Sequence, residues 1–96
     1  MAQGIRLEWY EPKRQRTLDE RGLDFADLAH YDWGAAIDIE DARIYDGEKR
    51  RVSIGYLNSR LIVVAYTVRD GCIRIISMRK ANEREVRRHG KARGNQ

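Results

Sequence analysis

Arginine is the residue best equipped for chemistry in this chain. Of 19 basic side chains, 15 are arginine, whose planar fork of donors grips a phosphate two bonds at a time. Three bases crowd the segment Arg74-Ile75-Ile76-Ser77-Met78-Arg79-Lys80-Ala81, and Asn82-Glu83-Arg84 follows directly. A second cluster, Glu48-Lys49-Arg50-Arg51, sets a carboxylate beside cations. Preorganised cations serve reactions in which charge develops on phosphoryl oxygens. Other chemistries lack their residues. His30 and His89 are far apart, and no His, Cys or carboxylate set has ligand spacing, so no metal is expected. Neither GxGxxG nor GxxxxGK[ST] occurs, which removes the common nucleotide-binding folds. The single cysteine, Cys72, excludes an internal disulfide and reads as structural rather than nucleophilic. No cofactor is expected.

The charge is unevenly spread. Residues 1–68 carry 10 basic and 12 acidic side chains, whereas residues 69–96 carry 9 basic and 3 acidic, for a net charge of +4 over 96 residues. A basic final third on a nearly neutral body points to a polyanion partner, although a solvated basic tail accounts for the same numbers. The length fits one domain, residues 1–96, with residues 90–96 expected to fray. The longest apolar run, Leu61 to Tyr66, is six residues, too short to span a membrane. Residues 1–6 lack the apolar stretch of a secretion signal, so a cytoplasmic location is expected.

These side chains must be positioned by strands and short helices. Residues 5–9 alternate apolar and charged, the pattern of a half-buried strand. Pro12 suits the first turn of a helix running from Lys13 to Glu20, and Gly22 stops it. Asp24 can cap a short second helix that buries Phe25, Leu28 and Ala29. Residues 34–41 alternate again and read as an edge strand. Three strands then follow, Arg51 to Leu57, Leu61 to Arg69 and Cys72 to Met78, with Asp70-Gly71 as a two-residue hairpin loop. A final helix starts at Ala81, with Asn82 and Glu85 at the two positions of a capping box. The expected class is α+β: a central antiparallel sheet of three to four strands, the N-terminal helices on one face, and a short C-terminal helix.

Two-residue loops at Asn58-Ser59 and Asp70-Gly71 fix a register. Ile54 then opposes Val63, Val52 opposes Ala65, and Val63 opposes Met78. Val52, Ile54, Val63, Ala65, Ile76 and Met78 share one apolar face, which the helices should cover. The other face holds Arg51, Ser53, Gly55, Ile62, Val64, Tyr66, Ile75, Ser77 and Arg79. Left open, it would suit a nucleic-acid strand, with arginine on phosphate and tyrosine on a base. The alternative is that Ile62, Val64, Tyr66 and Ile75 form a second core. A slip of one residue would invert every assignment.

From Arg74 to Ala81 the chain resembles the BrnT toxins of bacterial type II toxin–antitoxin systems. That family carries, at this strand–helix junction, an arginine, two apolar residues, serine, a variable residue, arginine, another residue and alanine. The resemblance covers about residues 7–89. It includes Leu7-Glu8-Trp9, Lys13, Gly22 with Phe25, the Glu-x-Arg element at Glu48-Lys49-Arg50, Gly55, and Arg60 before the Leu61–Tyr66 strand. Tyr10 stands where the family has aspartate, Thr17 where it has asparagine, and Glu20-Arg21 where it has a Lys-His pair. His89 falls near a position where tyrosine is common.

The resemblance implies a RelE-like fold and an endoribonuclease that inhibits translation, neutralised by a BrnA-like ribbon-helix-helix antitoxin. DNA would be met only through that antitoxin, and no membrane is involved. Cleaving RNA without metal requires loss of the 2′-OH proton, stabilisation of charge on phosphorus, and protonation of the 5′ oxygen. Arg79 takes the phosphate, supported by Arg50, with Arg51, Arg60, Arg74, Lys80, Lys13 and Arg21 as further RNA contacts. Glu48 is a candidate base, or alternatively a surface partner of Arg50 or Arg51. Ser77 is a positioning hydroxyl, and Tyr66 stacks on a base or transfers a proton. Two other readings stand beside this one. The altered Glu20-Arg21 pair could leave an RNA-binding or antitoxin-binding module without cleavage. A basic helix at residues 81–89 could also serve a pure protein-interaction domain.

Overall fold

A computed structural model describes residues 5–45 and 47–94. Five strands form one sheet: β1 (Arg6–Trp9), β2 (Ile37–Tyr45), β3 (Glu48–Leu57), β4 (Arg60–Arg69) and β5 (Cys72–Lys80). Their spatial order is β1-β5-β4-β3-β2. The sheet is larger than the expected three to four strands and is mixed, because β1 runs parallel to β5, with Leu7 beside Ile73 and Trp9 beside Ile75. The chain between β1 and β2 supplies the crossover that a parallel pair needs. It contains α1 (Glu11–Arg21) and a 3₁₀ helix (Phe25–His30); α2 (Glu83–Gly94) closes the chain.

Local chemistry explains these elements. Pro12 sits in the first turn of α1, and Gly22 ends it at φ 72°, where its N–H reaches the Leu18 carbonyl. Asp24 caps the 3₁₀ helix by accepting from the Ala26 N–H at 3.0 Å. Asn82 and Glu85 form the reciprocal box of α2: Oδ1 of Asn82 accepts from the Glu85 N–H at 2.8 Å, and Oε1 of Glu85 from the Asn82 N–H at 2.9 Å. The backbone of α2 continues through Gly94, into the segment expected to fray; residues 95–96 lie outside the described residues. Asp70 and Gly71, at φ 53° and 75°, make the two-residue hairpin turn with both residues left-handed.

The register between β3 and β4 follows the two-residue loop at Asn58-Ser59, with Ile54 opposite Val63 and Val52 opposite Ala65. Between β4 and β5 it does not hold throughout. Near the turn Tyr66 faces Ile75 and Thr67 faces Arg74, but further on Ala65 faces Ser77, Val64 faces Met78 and Val63 faces Arg79. Ile76 is therefore an extra, unopposed residue, a β-bulge. Beyond it the side chains change face. Met78 joins Ile62 and Val64, while Ser77 and Arg79 move to the side of Val63 and Ala65.

The helix-covered face is the reverse of the expected one. Leu23, Phe25, Leu28 and Tyr31 pack onto Ile62, Val64, Tyr66, Ile75 and Met78, with Leu7, Trp9 and Trp33 around them. This is the main core, the alternative in which those residues are not an open surface. Gly55 makes the fit possible. A Cβ there would lie 2.7 Å from the Ala36 Cβ and 3.0 Å from the Tyr31 hydroxyl oxygen, so any side chain would push the covering layer off. The opposite face carries a smaller cluster of Ile54, Leu61 and Val63 with Val52 and Ala81. There His89 of α2 stands edge-on to Tyr56, ring centroids 5.4 Å apart.

Candidate functional site

The bulge and the register sort the predicted site residues between the two faces. Tyr66 and Arg51 lie on the helix-covered face, where they meet Asp38 of β2. The Tyr66 hydroxyl donates to Asp38 Oδ1 at 2.6 Å, and Arg51 donates to Asp38 Oδ2 through Nη2 at 2.6 Å and Nε at 2.8 Å. Nearby, the Tyr31 hydroxyl and Ser53 Oγ are 2.9 Å apart, and the Trp33 ring stands edge-on to both Tyr31 and Tyr66. Tyr66 is only 6% exposed. Burial, then the Asp38 hydrogen bond and charge, push its phenol up to about 12, so it stays protonated as a donor at neutral pH. Tyr66 and Arg51 do not share an open surface with Arg79, because the 3₁₀ helix and the following Trp33 segment cover their face.

The opposite face gathers most of the rest. Counting outward from Val52 on β3, Arg50 and Glu48 share its face. Thr67 opposes Arg74, and one further step in the β3–β4 register places Arg50 across from Thr67 on its other side. Arg50, Thr67 and Arg74 thus form a row across three strands. Two residues up the sheet lies the Ala65–Ser77 pair, and two beyond it Val63–Arg79. At about 3.3 Å per residue, Arg79 stands roughly 13 Å along the sheet from the Arg50–Arg74 row, with Ser77 midway. The floor between them is small or short: Ala65, Ser77 and Thr67. Arg50, Arg74 and Arg79 side chains are 22%, 28% and 44% exposed and reach solvent.

Each cation has a carboxylate within reach. Arg79 forks Glu85 of α2 with bonds of 2.8 and 2.7 Å. Arg74 Nη1 donates to Glu8 at 2.9 Å. Arg50 Nε lies 3.4 Å from Asp41, which Arg43 already engages at 3.0 Å through Nη2. Glu48 pairs with Arg69 at 3.5 Å, rather than with Arg50 or Arg51. The Arg79 guanidinium holds the Glu85 carboxyl down to about 2. Lys13 of α1 completes the basic ground. Burial, then the charges of Arg50, Arg16 and Arg21, pull its ammonium below the usual lysine range.

The remaining predicted contacts lie elsewhere. Arg21 donates through Nη1 to the Met78 carbonyl at 2.8 Å, beyond the point where β1 stops pairing with β5. Lys80 is exposed and opposes Ile62 on the other side of the sheet. Arg60 begins β4, about 23 Å along the strand from Thr67, and lines a cleft of about 270 Å³ with Gly22, Leu23, Asn58 and Met78.

Sequence reasoning missed Thr67, which lies at the centre of the basic row, and the carboxylates that hold the arginines. Thr67 had a legible signal: it keeps step with Val63 and Ala65, two residues apart on one strand face. Among the described residues no group of three His, Cys, Asp or Glu side chains could hold a metal ion, and no helix is long and apolar enough to cross a membrane.

Comparison with known proteins gives the family and the fold. The family model for the ribonuclease toxin BrnT of type II toxin–antitoxin systems matches residues 9–85. The crystal structure of the Brucella abortus ribonuclease toxin BrnT superposes with a TM-score of 0.64 at 30% identity, covering 82% of this chain and 99% of that one. No curated protein matches.

Proposed function

The chain belongs to the BrnT family of ribonuclease toxins of type II toxin–antitoxin systems, and on that premise we propose that it cuts RNA without a metal ion, on the sheet face that carries Arg50, Arg74, Ser77 and Arg79. The observation that carries this reading is the bulge at Ile76, which turns Ser77 and Arg79 toward the side of Arg50 and Arg74. One strand face thereby holds two cationic stations about 13 Å apart with a hydroxyl between them.

Arg79, the most exposed of the three arginines, takes the scissile phosphate and opposes the charge that develops on its oxygens. Arg50 and Arg74 hold the neighbouring backbone, and Ser77 positions it. Glu48 shares this face but pairs with Arg69, roughly 20 Å along the sheet from the Ile54–Val63–Arg79 row, too far to take the 2′-hydroxyl proton at that phosphate, so the proton passes to water. The 2′ oxygen then bonds to phosphorus, the bond to the 5′ oxygen breaks, and that oxygen leaves with a proton. The products of this route are a 2′,3′-cyclic phosphate and a 5′ hydroxyl. Lys13, Arg16 and Arg21 extend the basic ground along α1 for further RNA contact.

A toxin of this class requires a neutralising partner. We assign that role to a BrnA-like ribbon-helix-helix antitoxin, with DNA contacted only through it, in the cytoplasm, and with inhibition of translation as the outcome. The test is incubation of refolded protein with defined RNA in the presence of a chelator. Fragments ending in cyclic phosphate, abolished by Arg79→Ala, are expected. Intact RNA from a folded sample would favour the second reading, an RNA-binding or antitoxin-binding module, which the Glu20-Arg21 departure from the family Lys-His pair motivates.

A further inference from the structure

Two buried polar atoms among the described residues have no hydrogen-bond partner, Arg50 Nε and Thr67 Oγ1. They belong to opposed residues of adjacent strands, on the face that also carries Arg74 opposite Thr67. Thr67 is 1% exposed. A buried hydroxyl left unbonded costs stability, and folded proteins seldom leave one so. Valine has nearly the same shape as threonine, is the better strand former, and would fit the apolar column of Leu61, Val63 and Ala65. The hydroxyl is therefore kept at a cost, in the middle of a basic row.

The neighbours identify what would satisfy it. Arg50 Nε itself stands 3.4 Å from Asp41 Oδ2, an ion pair without hydrogen-bond geometry, and Asp41 is already bonded by Arg43 through its backbone N–H, Nε and Nη2. Arg74 turns the other way, toward Glu8. The Lys13 ammonium, crowded by Arg50, adds a further positive charge. Both atoms are closed to solvent in the free protein; an acceptor carrying negative charge that displaced the overlying side chains could take the Thr67 O–H and the Arg50 Nε–H together, and would be held by both guanidinium heads. The row's own side chains, Arg50 and Arg74, are cations, and the carboxylates that face them, Asp41 and Glu8, lie toward its margins.

We propose that Thr67 and Arg50, with Arg74 beside them, form a phosphate subsite in which the Thr67 hydroxyl is the floor, a second station about 13 Å from Arg79. This rests on the ribonuclease reading for its physiological occupant, a backbone phosphate of the bound RNA. The subsite itself is a claim about inorganic phosphate and these three side chains.

The test uses the full chain, Thr67→Val, Thr67→Ser, and inorganic phosphate titrated while the Arg50 Nε–H resonance is followed by NMR. Saturable shifts are expected in the unaltered protein and in Thr67→Ser. Thr67→Val should bind phosphate at least about tenfold more weakly, the usual size of a hydrogen bond to a charged group. Its thermal midpoint should equal or exceed that of the parent, since the lost hydroxyl bonds nothing in the free protein. Equal phosphate affinity in Thr67→Val, an absent shift in the parent, or a lower midpoint in Thr67→Val would each overturn the subsite. The ribonuclease reading fails separately. Phosphate binding that depends on Thr67, in a protein that leaves RNA intact, would keep the subsite and remove the cleavage. Cleavage with a Thr67-independent KM would do the reverse.

Discussion

The two faces of the sheet solve the same problem in opposite ways. Both carry arginine, hydroxyl and carboxylate groups close to an apolar floor. On the helix-covered face the groups close on one another: Tyr66 and Arg51 share Asp38, Tyr31 meets Ser53, and Trp33 packs edge-on between the two tyrosines. On the opposite face the arginines are drawn outward to carboxylates at the margin, and the centre keeps two unbonded polar atoms. A closed polar network specifies a fold; an unmet buried donor is costly, and the phosphate proposed above would satisfy the two that stand here. The contrast separates a structural tyrosine from candidate binding arginines better than residue type does.

The largest effect that would break this contrast is on stability. Phe25→Ala, at a fully buried site under the helix-covered face, should lower the free energy of unfolding by about 3–5 kcal/mol in urea titration. If it costs less than half of that, the principal core is not where Phe25, Leu28 and Ile62 meet. Arg79→Ala comes next. Cleavage should fall by roughly 10²–10³-fold with the fold intact. The salt dependence of RNA affinity should also weaken by about 0.7 in log–log slope, one phosphate contact on a single strand. Unchanged cleavage would move the chemistry off this face.

Tyr66→Phe sharpens the comparison from the other side. Loss of its bond to Asp38 should cost about 1–3 kcal/mol of stability while cleavage per folded molecule is kept. A folded Tyr66→Phe protein without cleavage would restore the stacking or proton-transfer role that its residue type first indicates.

The smallest effect concerns the Arg79–Glu85 fork. The Glu85 carboxyl is held at about 2 against an ordinary 4.5. A depressed carboxyl contributes stability above its unfolded value and loses it as pH falls through the folded one. Stability should therefore decline from about pH 4.5 toward pH 2, and Glu85→Gln should flatten part of that decline. Glu11, drawn down to about 2 by Arg14 and then Trp9, keeps part of the remainder, with Glu8, Glu40 and Asp41, which their arginine or lysine partners also lower. An acid limb identical in the two proteins, followed by circular dichroism, would show that the fork contributes nothing.

Much of this was legible from residue order. The Asp70-Gly71 turn, the Asn82–Glu85 capping box, Gly22 as the stop of α1 and the β3–β4 register are local, and local chemistry decides them. The family resemblance rested on such short elements as well. The covered face was not legible, since both faces of β3 and β4 bear apolar residues and alternation alone does not choose between them. What chose was nonlocal: Tyr31 reaching Ser53 over the bare backbone of Gly55. The parallel pairing of β1 with β5 joins residues 66 apart and leaves no local sign. The candidate site was half legible. Arg50, Arg74, Ser77 and Arg79 stood out by type, but their common face depends on an extra residue that period-two counting cannot see.

That extra residue, Ile76, has a consequence for how the chain tolerates change. β5 follows two opposite inside–outside rules, one from Cys72 to Ile75 and another from Ser77 to Lys80, joined without a loop. A deletion of one residue here would leave composition and charge almost untouched and keep both hairpin turns. It would also close the bulge: Ser77 would stay opposite Ala65 and Met78 opposite Val64, because simple alternation from Ile75 then puts each on the side it already takes. A one-residue deletion at the bulge should therefore be better tolerated than one in the middle of β4, where every later side chain would change face, a pattern that a deletion library of the two strands would display directly.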